Sequence, residues 1–279
     1  MKVSLPEIRE RTYKPVDAWW TVLLVDPLAS RLVRVVAPHK RITPNLLTVI
    51  ATLIGLVAAA FFAQGSRWWL VVGAVLFHLS FVVDCMDGKI ARLNGTGSLF
   101  GQWLDYVFDR VRVLACAFAL MGGQYARTHQ LIYLYLAAVV IFLDMFRYLN
   151  SLEMSKIRRG MKDQIAEFKQ PLDDTVRLSR ADEGDEPEAS PKRRLGRWLR
   201  ARRIRTHLFS GIEYHMGVFI IGPLTGLIIP VTIVSGALLV AFECFLIYKF
   251  WRATRAFPSR LTAAKNEYYA RQIPEEAVI

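Results

Sequence analysis

Four aspartates within 26 residues are the side chains of this chain best suited to chemistry. Asp84 and Asp87 are three residues apart, and Asp105 and Asp109 four apart. On helices, each pair therefore shares one face. The link between the pairs holds Gly95 and Gly97, which suits a tight connection between antiparallel helices and brings all four carboxylates to one depth. Oxygen-only ligands on a rigid frame favour magnesium or manganese over zinc or copper. Two divalent ions would cancel four negative charges, and ions about 3.5–4 Å apart can clamp a phosphoryl group undergoing displacement. Gly88, directly after Asp87, leaves room for a ligand near the backbone. Arg92, one turn further, can hold phosphate oxygens with two bonds. Gly101 lies one turn before Asp105 and permits close helix approach. Cys85 and Met86 read as filler, and His78 as a hydrogen-bonder inside the bundle.

These acids sit in an apolar setting. The chain has 279 residues, 53% of them hydrophobic, yet 36 Lys+Arg against 24 Asp+Glu leave a net charge of +12. The two kinds are segregated: residues 46–63 and 216–242 carry no charge at all. Runs of 18 and 27 such residues are long enough to cross a hydrocarbon core about 30 Å thick. The composition excludes a disordered chain, a disulfide scaffold and a secreted soluble enzyme. Cys85, Cys116 and Cys244 lie far apart and suggest neither pairing nor a thiolate zinc site. The first fifteen residues contain no apolar stretch of the kind a signal peptide needs. The expected fold is all-α: a polytopic membrane protein with six transmembrane helices near 44–64, 68–92, 98–122, 130–152, 207–228 and 231–253. Pro223 and Pro230, with Gly222 and Gly226, place a tight hairpin between the last two.

All lysines and arginines except Arg67 and Arg127 fall on one side of these spans. The positive-inside rule then puts both termini, and the acids, on the cytoplasmic side of the cell membrane. Attraction to an anionic leaflet explains the charge better than nucleic-acid binding, because the basic residues flank apolar spans instead of forming one compact patch. Asp26-Pro27 reads as an N-cap followed by the first helical residue of an amphipathic juxtamembrane helix. Leu28, Leu32, Val35 and Val36 would form its apolar stripe, opposite Ser30, Arg31 and Arg34, with Trp19 and Trp20 at headgroup depth. Thr43-Pro44 starts the first span. The organisation is thus a cytoplasmic N-terminus with interfacial helix (1–43), a six-helix catalytic domain (44–254) and a cytoplasmic tail (255–279). A charged insertion at 157–206 interrupts the domain. It comprises an acidic loop (Asp182, Glu183, Asp185, Glu186, Glu188) and a basic surface helix on which Leu195, Trp198 and Leu199 share a face.

The run from Asp84 to Asp109 matches D-x2-D-G-x2-A-R-x8-G-x3-D-x3-D at each of its eight defined positions, Asp84, Asp87, Gly88, Ala91, Arg92, Gly101, Asp105 and Asp109. It resembles the signature of the CDP-alcohol phosphotransferases (CDP-alcohol phosphatidyltransferases). That resemblance implies Asp84, Asp87 and Asp105 as ligands of one ion, and Asp105 and Asp109, with Asp84, as ligands of the other. It implies Asp109 as the catalytic base. Gly88, Arg92 and Ser98 correspond to contacts with the CDP moiety, and Asn45-Leu-Leu-Thr48 resembles an N-x-x-T element near the nucleotide. The implied reaction moves a substituted phosphate from a CDP-alcohol to an alcohol hydroxyl with release of CMP. It also implies a homodimer in the bilayer, with no role for nucleic acid.

The first reading is a phospholipid synthase using CDP-diacylglycerol and a polyol or polyol phosphate such as inositol phosphate. Arg112 and Arg147 are the candidates for gripping an acceptor phosphate; each has the alternative of pairing with a nearby acid. A soluble donor such as CDP-inositol, as in a di-inositol-phosphate-type synthase, is the second reading. Two further classes explain less. A prenyltransferase would hold its acidic motifs on well-separated segments. A cation or proton transporter would need the acids but not Gly88, Ala91, Arg92 and Gly101 in register.

Overall fold

A computed structural model of the chain describes residues 4–39, 41–168 and 191–272. The acidic loop expected around 182–188 lies outside the described residues. The described residues are helical, with no strand; an isolated bridge joins Asp17 and Ile204. The helices are α1 (Leu5–Thr12), α2 (Asp26–Val36), α3 (Pro44–Ala63), α4 (Arg67–Asn94), α5 (Leu99–Thr128), α6 (Ile132–Ala166), α7 (Pro191–Ala201), α8 (Gly211–Met216), α9 (Gly222–Thr225), α10 (Ile228–Arg255) and α11 (Phe257–Gln272).

Four of these stretches are long and apolar enough to cross a membrane: α3, α4, α6 and the run Ile228–Tyr269. The two other expected spans do not reach that standard, for different reasons. Helix α5 is long enough at 30 residues, but Asp105, Asp109, Arg110 and Arg112 load its first half with charge. The stretch 211–225 is broken into short pieces by the π-helical turn Gly217–Ile221 and ends at Gly226, whose φ of 78° is left-handed.

Two π-helical turns, Thr21–Val25 and Gly217–Ile221, each end two residues before a proline, Pro27 and Pro223. Proline lacks an N–H and its ring crowds the carbonyl four residues back. Widening the preceding turn relieves that clash while keeping the chain helical: the amides of Asp26 and Gly222 bond to the carbonyls of Thr21 and Gly217, five residues back. Asp26 therefore sits inside a continuing helix (φ −54°, ψ −43°) and is not the N-cap that its position before proline suggests. The face of α2 turned into the protein is Asp26, Ala29, Ser30 and Val33, whereas Leu28 and Val35 are exposed. Of the expected apolar stripe, Leu32 and Val36 are half-buried. Trp20 is buried and its ring meets His78 edge-on, while Trp19 donates its indole N–H to the Leu208 carbonyl at 2.9 Å. The Nδ1 of His78 is buried without a hydrogen-bond partner among the described residues.

The chain divides into two compact units. The first comprises Met1–Asp144 and Leu195–Val240. Its centre is α3, which packs against α4 on one side and α5 on another through small residues, as helices in lipid commonly do. A Cβ at Gly73 would lie 2.6 Å from the Phe62 ring, and one at Gly123 2.6 Å from the Phe62 and Ala63 carbonyl oxygens. Helices α1 and α2 pack against α4. In α7, Leu199 is buried and Leu195 and Trp198 remain exposed. The second unit comprises Met145–Arg194 and Ala241–Ile279. There Glu243, buried on α10, pairs with Arg147 Nε at 3.0 Å and accepts from Asn150 Nδ2 at 2.7 Å.

Candidate active site

The α4–α5 hairpin carries the four aspartates. Helix α4 stops because Gly95 adopts a left-handed conformation (φ 65°), the usual way to close a helix C-terminus. Helix α5 starts at Ser98, whose hydroxyl accepts the Gly101 amide at 2.9 Å. The two helices do not pack along each other as the short link suggested; each packs on α3 instead, and near the link their acidic side chains meet. Asp84, Asp105 and Asp109 offer carboxylate oxygens that all lie within 4.8 Å of one another. Asp87 is not in that group of three; its Oδ2 accepts from the Thr48 hydroxyl of α3 at 2.5 Å.

Such a cluster of oxygens has the donor set and spacing to hold a hard divalent cation such as magnesium or manganese. Three carboxylates this close repel one another, and among the described residues the buried cation that answers them is Arg112. Arg112 donates from Nη1 to Asp84 Oδ1 at 3.3 Å and from Nη2 to Asp109. Arg110 Nη2 lies 3.9 Å from Asp109 Oδ2, while its Nη1 grips both oxygens of the buried Asp144 at 2.6 Å. Asp144 also bonds His215 Nε2 at 2.7 Å.

The other residues singled out in the sequence divide between this site and elsewhere. Asn45, at the start of α3, reaches the glycine of α5: a Cβ on Gly101 would lie 2.7 Å from Asn45 Oδ1 and 3.0 Å from Ser98 Oγ. Gly101 thus opens space for two polar side chains from other positions. Gly88 has Arg92 above it, the guanidinium nitrogens 3.4 and 3.8 Å from where a Cβ would stand. Arg92 is tied down as well, its Nε donating to the Thr12 carbonyl at 2.8 Å. Asn45, Thr48, Gly88, Arg92 and Ser98 are all contributed by the α3–α4–α5 trio that carries the aspartates. Arg147 belongs to the second unit and is engaged by Glu243. Arg112 is engaged by the acids themselves.

Sequence reasoning did not anticipate a second charged cluster. Lys89, inside the signature segment and 4% exposed, bonds Asp26 Oδ1 at 2.6 Å; Arg203 Nη2 reaches Asp26 Oδ2 at 2.9 Å. The Tyr13 ring takes both cations, with Lys89 Nζ 4.9 Å and Arg203 Cζ 4.1 Å from its centroid. Backbone bonds between Asp17 and both Arg203 and Arg205, and an Arg205–Asp17 ion pair at 3.2 Å, extend the clasp.

Residues 41–170 match the family model described as CDP-alcohol phosphatidyltransferase. Among curated proteins, the chain is 35% identical over 83 residues to a phosphatidylinositol phosphate synthase of Mycolicibacterium smegmatis, covering 29% of this chain and 36% of that protein. It is 34% identical over 84 residues to an archaetidylinositol phosphate synthase of Pyrococcus horikoshii, covering 29% and 43%. It is 36% identical over 72 residues to a bifunctional IPC transferase and DIPP synthase of Aquifex aeolicus, covering 25% and 15%. The matched stretches thus span less than half the length of each of these relatives.

Proposed function

We propose, from the match of residues 41–170 to the family model of the CDP-alcohol phosphatidyltransferases, that this chain is an integral membrane transferase of that family. It moves a substituted phosphate group from a CDP-alcohol to an alcohol hydroxyl and releases CMP. The observation that carries the proposal is the meeting of Asp84, Asp105 and Asp109 within 4.8 Å on the hairpin that bears Gly88 and Arg92. Asp84, Asp87, Asp105 and Asp109 would hold two magnesium or manganese ions. Bound there, divalent ions supply charge neutralisation for a pyrophosphate and its leaving phosphate.

The chain's own residues do the rest. Asn45, Thr48, Gly88, Arg92 and Ser98 bind and orient the CDP moiety. Asp109, about a quarter exposed, takes the proton of the acceptor hydroxyl as its oxygen bonds to the phosphorus carrying the donor alcohol. The bond from that phosphorus to CMP breaks, and CMP leaves with its phosphate charge. Positioning and electrostatics supply most of the rate in phosphoryl transfer.

The activities of the similar proteins favour an acceptor or product bearing inositol phosphate and a lipid donor, CDP-diacylglycerol, within phospholipid biosynthesis. The DIPP synthase relative keeps a soluble CDP-alcohol donor as the second reading. The lysine and arginine distribution supports six spans, counting α5 and the 211–225 stretch, with both termini and the site at the cytoplasmic face of the cell membrane. A homodimer, as in the family, completes the proposal.

The test is direct. Purified protein in detergent with magnesium is offered CDP-diacylglycerol or CDP-inositol and a panel of polyols and polyol phosphates, and CMP and product masses are measured. Acceptor-dependent CMP release is expected. Its absence with every pair, alongside cation flux in vesicles, would favour a transporter and overturn the reading.

A further inference from the structure

We propose that Arg112 is a resident cation of the carboxylate cluster, seated so that it competes with divalent ions for Asp84 and Asp109 and sets their affinity. The inference rests on the cation-binding reading of the cluster and not on the transfer reaction.

The seat is built by three helices. Arg112 lies one turn after Asp109 on α5 and is 4% exposed. Its Cγ and Cδ lie 2.6 and 2.5 Å from where a Cβ on Gly55 of α3 would stand, so only glycine there leaves a channel for the stem. At the head, Nη1 donates to Ser80 Oγ of α4 at 3.1 Å. Ser80 in turn donates to the Ala51 carbonyl at 2.6 Å, which commits its proton and leaves its lone pairs to receive the guanidinium. Packing and hydrogen bonding therefore hold Arg112 in place independently of the two acids that it reaches.

The consequence is electrostatic. Two oxygens that a divalent ion would use already accept from a guanidinium, which does not lose its proton in proteins. Arg112 thus lowers the repulsion among the acids when no ion is bound. By the same charge it opposes an ion that arrives. One residue stabilises the ion-free state and weakens ion binding, and these opposite effects distinguish it from a residue that only packs.

Manganese binding to the purified full chain in detergent, followed by the electron paramagnetic signal of free Mn2+, tests this without any need for turnover. Arg112→Gln is expected to bind Mn2+ about tenfold more tightly or better, since a unit charge a few Å away is removed. Its melting temperature should fall in EDTA, and the gap to the parent should narrow as Mn2+ is added. Arg112→Lys keeps the charge and should stay closer to the parent than to the glutamine variant. Should Arg112→Gln not fold, Ser80→Ala loosens the seat and should tighten Mn2+ binding in the same direction, by about twofold to threefold for the loss of one hydrogen bond. Unchanged or weaker Mn2+ affinity in these variants, or a lysine variant that binds as tightly as glutamine, would overturn the proposal. Tighter Mn2+ binding in a protein that releases no CMP would refute the transferase reading and leave this inference standing. CMP release with unaltered Mn2+ affinity would do the reverse.

Discussion

Helix α4 carries two clusters of buried charge that differ in one respect, and the difference marks where chemistry belongs. Around Asp26, one carboxylate lies between Lys89 and Arg203, and Tyr13 covers both cations. Both oxygens have partners, and the acid is answered in full from within the chain. Around Asp84 and Asp109, three carboxylates crowd within 4.8 Å of one another and Asp87 stands nearby, held by Thr48. Among the described residues, Arg112 is the buried cation that answers them, with Arg110 turned mainly to Asp144. A closed cluster has nothing left to bind. An open one, short of positive charge, has a use for an ion from outside.

The largest expected effect separates the two at once. Chelation by EDTA should abolish transferase activity and added magnesium or manganese should restore it, while the melting transition persists because the Asp26 cluster needs no metal. Full activity in chelator would defeat the divalent-ion mechanism. Next comes Asp109→Asn, expected to lower turnover by about 10²–10⁴-fold, the usual worth of a general base, with folding and donor binding retained. Near-normal turnover would remove the base from Asp109.

The mirror experiment is Asp26→Asn. It leaves Lys89 buried and unpaired and should cost about 3–5 kcal/mol of stability, read from denaturant midpoints, while the folded fraction keeps its activity. An unchanged midpoint would show that the clasp is not closed in the way its distances suggest. The smallest effect is expected from excising 170–189. That cut stops short of α7 and of Arg203, and shortening a connection changes closure entropy only slowly. Activity should remain within about twofold of the parent, whereas inactivity of a well-folded deletion would assign that stretch a catalytic part.

The hairpin was legible because its signals are local. The spacing of Asp84, Asp87, Asp105 and Asp109 fixes their helical faces, Gly95 ends one helix, Ser98 begins the next, and Thr43-Pro44 starts α3 with the hydroxyl accepting the Leu46 amide. The Asp26 clasp was not legible. Asp26 before Pro27 has the local look of a cap, but its partners are 63 and 177 residues away. The π-helical turns were missed likewise, since proline announces a break and gives no hint that a widened turn will absorb it. Arg112 was half legible: its spacing from Asp109 allows a pair within one helix, whereas Gly55 and Ser80, which seat it, come from two others.

By itself, then, the amino-acid order determined that acids would gather at one end of an apolar helical hairpin, because helix periodicity and turn chemistry act over a few residues. Only the tertiary structure decided which charges are answered from within the chain. Those partners come from distant segments, and whether a buried carboxylate is satisfied depends on what packs against it and not on its neighbours in sequence.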